Sequence, residues 1–163
     1  MNTTLFNFKK DTDISKWQVV DDVVMGGRSS GSFKLNKDGN GEFSGHISLE
    51  NNGGFSSLQY NLPTTFVNPE QSVELYLKGD GKDYQFRVKD KISNSHSYVY
   101  TFKTTGDWQV VKIQLSQMTP QFRGRKLQMN AFDQNQIEQL TFLIGNKKKE
   151  DFKLELDKIV LVH

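Results

Sequence analysis

Segment after segment of this chain alternates apolar and polar residues with a period of two, which is the pattern of strands that bury one face and wet the other. It is clearest over residues 72–77, 84–88, 98–102, 108–115, 138–144 and 152–161, and weaker over 4–8, 17–20, 31–35, 42–49 and 55–60. Turn-forming clusters separate these runs: 37–41 (KDGNG), 51–54 (NNGG), 78–81 (KGDG) and 104–107 (TTGD). About eleven short strands with Gly-rich turns predict an all-β sandwich or jelly roll. No segment sustains the 3.6-residue period of a helix. Single helical turns are expected at 116–118 and 130–135, capped by Ser116 and Asn130. The charged run 147–151 (KKKED) reads as a solvated hairpin connection.

At 163 residues the chain is long enough for one core, and neither a linker nor a repeat divides it, so a single domain over 1–163 is expected. Twelve Phe supply bulky packing groups. The absence of Cys excludes a disulfide framework and any thiolate metal site. No stretch approaches the ~20 apolar residues of a membrane span, and residues 1–13 carry neither a basic-then-apolar signal nor an Arg-rich presequence, so a cytoplasmic protein is expected. A net charge of +2 does not point to nucleic acid. The charge is uneven, however: residues 78–126 carry ten Lys or Arg against four Asp or Glu, which predicts a basic region, in the simplest case a solvated face.

No catalytic or metal motif stands out. His46, His96 and His163 are far apart and form no short-spaced ligand pair. The G-x-S-x-G elbow of a nucleophilic serine is missing. Carboxylate pairs for glycoside hydrolysis can be drawn among Asp21, Asp22, Glu42, Glu50 and Asp80, but any chain with 19 acids permits that. The stretch 25–30 (MGGRSS) offers backbone N–H groups and Arg28 to an anion, yet lacks the P-loop spacing and a following helix. Its simpler reading is that Gly26 and Gly27 take positive φ or let the chain pass close to a neighbour. Gly53 and Gly54 read likewise, as a turn that directs Phe55 into the core. No metal and no cofactor are expected.

Several of these stretches together resemble one family. They are 21–29 (DDVVMGGRS), 43–45 (FSG) with 48–57 (SLENNGGFSS), 79–87 (GDGKDYQFR), Trp108 with Val111, 122–125 (FRGR), and the closing runs 137–144 and 152–159. The chain is similar in these to the complex I intermediate-associated protein 30 family, across nearly its whole length. The resemblance implies a galactose-binding-domain-like jelly roll, and its mitochondrial members assist assembly of respiratory complex I. Two departures are visible: Glu150-Asp151 where the family often has Gly, and no mitochondrial targeting segment. The second makes a bacterial stand-alone domain the expectation.

The function expected is therefore non-catalytic binding, with a protein partner first and a carbohydrate as the alternative. An enzyme or nucleotide binder comes third. Trp108, Tyr84, Tyr98 and Tyr100 are the rings available to stack on a sugar, although alternation sends about half of strand aromatics inward. The candidate binding residues are Asp22, Arg28, Asp80, Tyr84, Arg87, Trp108, Arg123 and Arg125, each either facing a ligand or tying loops together. Arg123 and Arg125 flank Gly124, which leads to the expectation that one is anchored to an acid such as Asp80 and the other is left for a partner.

Overall fold

Alternating apolar residues need a second layer to cover them, and here the layers are two antiparallel sheets. The computed structural model describes residues 2–163 and, of Val24 and Met25, the backbone. Its strands are β1 (Asn2–Asn7), β2 (Trp17–Asp21), β3 (Ser30–Leu35), β4 (Gly41–Ile47), β5 (Ser56–Phe66), β6 (Ser72–Lys78), β7 (Asp83–Lys89), β8 (Ser97–Lys103), β9 (Trp108–Gln114), β10 (Thr119–Phe122), β11 (Arg125–Lys126), β12 (Gln136–Ile144) and β13 (Glu150–Val162). The smaller sheet runs β3-β4-β13-β6-β9, with β1 also paired to β13; the larger runs β11-β10-β8-β7-β12-β5-β2. Short 3-10 turns cover Asp22–Met25, Glu50–Asn52 and Leu115–Gln117.

The core lies between the sheets. From the larger come Leu58, Tyr60, Tyr84, Phe86, Val88, Tyr98, Phe102, Leu140, Phe142 and Ile144; from the smaller, Phe43, Val73, Leu75, Leu77, Ile113, Leu154, Leu156 and Ile159. One end is closed by an aromatic group in which Trp17 stacks on Tyr60 at 4.7 Å, with Phe6, Phe8 and Phe33 around them.

The structure corrects several local expectations. Residues 119–126 form the hairpin β10–β11, which the reading for periodicity passes over because its strands are four and two residues long and include Pro120. Residues 130–135 form no helix, and the turn near 116 begins at Leu115. The run 147–151 does not close a hairpin: β12 belongs to the larger sheet and β13 to the smaller, so these residues carry the chain between sheets. Phe55 is only partly buried and stands outside the core cluster.

Gly26 at φ +88° and Gly54 at φ +142° occupy backbone that side chains avoid, whereas Gly27 does not; it is packed against the Asp22 carboxyl instead. We expect Gly26→Val and Gly54→Val each to destabilise the protein by more than about 1 kcal/mol, read as a lower urea midpoint. Unchanged midpoints in both variants would show that neither conformation is required.

Candidate functional site

Core burial uses one face of the larger sheet; the other face has no layer over it, and strand register sets what it displays. The pairings place Thr119, Val99, Arg87, Thr141, Gln59 and Gln18 in one row across β10, β8, β7, β12, β5 and β2. A second row holds Gln121, Ser97, Lys89, Gln139 and Asn61, with Lys126 of β11 opposite Gln121. A third holds Thr101, Gln85, Leu143, Ser57 and Val20. No aromatic ring stands in these rows; Phe66, exposed at the far end of β5, lies beyond them.

Although uncovered, the middle of this face is shielded. Val99, Thr141, Gln139 and Ser57 are buried although the register turns them away from the core, so their taller neighbours on the same face screen them. Arg87 is the central tall side chain. Its Nε and one terminal nitrogen donate to Gln85 Oε1 at 2.9 and 2.7 Å. Among the described residues no carboxylate pairs with it. Burial pulls the pKa of the guanidinium below its ordinary value, as it does for the Lys89 ammonium, which donates to the Asn94 carbonyl at 2.8 Å. Gln139 donates to Asn61 at 2.9 Å in the adjoining row. The result is a cationic, amide-rich surface built to hydrogen-bond oxygen atoms, with one partly buried guanidinium whose remaining N–H groups make no bond among the described residues.

Of the residues singled out in the sequence, Arg87 alone lies at the centre of this face. Asp22 is buried and its oxygens are occupied: Ser29 donates from its N–H at 2.9 Å and its hydroxyl at 2.6 Å, and the N–H groups of Gly54 and Phe55 donate at 2.6 and 3.3 Å. It ties loops together. Tyr84 is in the core, and its hydroxyl donates to Asp80 at 2.9 Å; burial, and then the Asp80 charge, push the phenol far above its ordinary pKa. Tyr98 is also in the core, and Tyr100 packs against it, so these rings form no platform for a sugar.

Asp80 does not anchor the Arg pair. It takes Tyr84, Lys82 at 3.1 Å and the Lys153 N–H at 2.8 Å. Arg123 and Arg125 are exposed at the tip of the β10–β11 hairpin, where Arg123 (φ +51°) and Gly124 (φ +76°) make the turn and the Arg123 guanidinium lies 5.3 Å from the Phe122 ring centre. They mark the rim of the larger sheet. Trp108, half-exposed, is on the opposite sheet, at its edge strand β9. Arg28 lines a separate depression near β4.

The sequence reading missed Gln85, Lys89, Gln59, Asn61, Gln139 and Thr141. Each is an ordinary polar residue at an outward strand position, and only the pairing of distant strands makes them neighbours. A signal existed on β12, where Leu140-Thr141-Phe142 are buried in succession in a run free of charge, as in a strand screened on both faces.

The three histidines serve separate places: His46 bonds Asp151 at 2.7 Å, His163 bonds Thr3 at 2.7 Å, and the His96 ring lies 5.3 Å from that of Tyr98. No group of three His, Cys, Asp or Glu among the described residues is placed to hold a metal, and no helix is long and apolar enough to cross a membrane.

The family model for complex I intermediate-associated protein 30 (CIA30) matches residues 6–156. The chain belongs to the CIA30 family. This CIA30 chain is 29% identical to an uncharacterized protein of Schizosaccharomyces pombe over 95% of its own length and 81% of that protein's. In structure it is similar to a family 11 carbohydrate-binding module from Clostridium thermocellum, in complex with a β-1,3-1,4-mixed-linked tetrasaccharide, with TM-score 0.74 at 18% identity over 99% of this chain and 95% of the module. It is also similar to a family 29 carbohydrate-binding module, with TM-score 0.58 at 6% identity over 98% and 90% of the two chains. At such identities the CIA30 chain shares with these modules a fold, the β-sandwich jelly roll.

Proposed function

We propose that this CIA30 domain is a non-catalytic binding module that takes a protein partner on the outer face of its larger sheet, with Arg87 receiving an acidic side chain. The observation that carries this reading is the screened guanidinium at the centre of that face, bonded to Gln85 and, among the described residues, to no carboxylate. A guanidinium removed from water and left without a carboxylate costs stability, and a partner's carboxylate recovers it with a bidentate, charge-assisted bond. Lys89 and Lys126 on the same face, and Arg123 and Arg125 on its rim, add attraction for an acidic surface. Membership of a family described by its association with an assembly intermediate supports the same reading.

A carbohydrate is the second reading, favoured by one feature: the amides of Gln59, Gln85, Gln139 and Asn61 share this face, Gln139 directly opposite Asn61, and match sugar hydroxyls as donors and acceptors. The missing aromatic platform in these rows weighs against it.

The test compares the parent with Arg87→Met in affinity capture from source cells and on a glycan array. Under the protein reading, Arg87→Met keeps or raises the melting temperature and lowers recovery of the parent's partner about tenfold or more. A glycan signal that Arg87→Met abolishes would move the site to sugar. Equal capture by both proteins would remove Arg87 from the site.

A further inference from the structure

A second surface has charge and shape that the Arg87 face does not use. Beside the end of β4, on the smaller sheet's side of the molecule, Arg28, His46, Ser48, Leu49, Glu50 and Lys149 line a depression of about 500 Å³. We infer that this depression is a binding site for an oxyanion carried by a small organic group, a phosphate or a carboxylate.

Lys34, Lys82 and Lys153 each pair with an acid, whereas Arg28 and Lys149 make no ion pair among the described residues. The acid beside His46 is Asp151, 2.7 Å away and engaged with it. Glu50 is therefore the single carboxylate in the lining, against two full cations and an imidazole. The main-chain donors flanking Arg28 are engaged elsewhere: the N–H groups of Gly26 and Gly27 donate to the carbonyls of Val23 and Asp22, and that of Ser29 to the Asp22 side chain. Recognition falls to side chains, and the Arg28 fork suits a planar or tetrahedral oxyanion.

The walls are held before any ligand arrives. Ser29, next to Arg28, is bonded to Asp22, and its Oγ accepts from the Ser48 N–H at 3.0 Å. The Glu50 N–H donates to the Ser48 hydroxyl at 3.2 Å. The wall carrying Arg28 and the wall carrying Ser48 and Glu50 are thus joined through the Ser29 hydroxyl, itself held by buried Asp22, so binding orders little backbone. Leu49, nearly half exposed, gives the lining an apolar side that a bare ion does not use. That favours an organic anion over an inorganic one.

The experiment is an amide-resolved NMR titration of the whole chain with phenyl phosphate, benzoate and inorganic phosphate at constant ionic strength, with sodium chloride as reference. Saturable shifts at the amides of residues 28–29, 48–50 and 149 are expected with at least one organic anion, and weaker ones with inorganic phosphate. Response to phenyl phosphate alone assigns a phosphomonoester, response to benzoate alone a carboxylate, and response to both a general oxyanion site. Arg28→Gln with Lys149→Gln should weaken binding at least tenfold with no change in melting temperature, since neither side chain has an internal ion pair; Glu50→Gln should tighten it. No saturable shift with any anion, or equal affinity in the double variant, would overturn the assignment.

Discussion

Replacing Asp22 by alanine should cost the protein roughly 3 kcal/mol or more, because it strips the partner from four donors at once, two of them on buried Ser29. The carboxylate is about 1% exposed and receives the Ser29 N–H and hydroxyl and the N–H groups of Gly54 and Phe55. Gly27 and Gly53 pack against it so closely that a Cβ at either position would collide with the carboxyl group. Burial opposes the charge, but the hydrogen bonds from Ser29, Gly54 and Phe55 outweigh it and hold the Asp22 pKa below its ordinary value. A group whose folded pKa is depressed stabilises the fold above its unfolded pKa of about 3.9 and loses that contribution as pH falls through the folded value. Urea midpoints should therefore show the full parent-to-variant gap at pH 7, narrowing once the pH drops below about 4. A gap that stays constant down to pH 2, or is absent at pH 7, would show that ionised Asp22 does not hold the loops.

Phe142→Ala should cost about 3–5 kcal/mol, a large share of the 5–15 kcal/mol that stabilises a typical domain. Phe142 is fully buried in β12, between Leu58 on β5 and Phe86 on β7, and its ring centre lies 5.4 Å from that of Phe86. With strands on both sides and the smaller sheet above, the site has little room to collapse into the vacated space. A double-mutant cycle with Phe86→Ala should give a coupling of about 0.5–1.5 kcal/mol, because each ring forms part of the other's wall. A single-variant loss under about 1.5 kcal/mol, from calorimetry or urea, would mean that the core repacks around the cavity.

These two residues also show what the linear sequence discloses. Phe142 is readable, because an apolar residue in an alternating run has one side on which to be buried, and the same logic finds most of the strands. Asp22 is half readable. Its motif marks it out, but whether a carboxylate faces a ligand or its own loops depends on Ser29 and Gly54, and the second lies 32 residues away. Tyr84 shows the limit from the other side: an aromatic on a strand is a ring for a sugar or a ring for the core according to one residue of phase, and here the phase is inward. The Arg87 face is the least legible feature, because its neighbours on β5, β8 and β12 come together only through pairing register, and outward polar residues look alike in every strand.

The placement of β13 carries a further consequence. It is the last strand in chain order and also the middle of the smaller sheet, paired to β4 and β1 along one edge and to β6 along the other. During translation β4 and β6 therefore emerge long before the strand that joins them, and each waits with an open edge of unpaired N–H and C=O groups. The contacts that complete the sheet span most of the chain, up to the pairing of Asn2 with Val162, so closure is slow relative to local hairpin formation. A ribosome-bound chain stalled before Glu150 would present two apolar half-layers with no seam between them, the state in which a nascent protein most needs a chaperone.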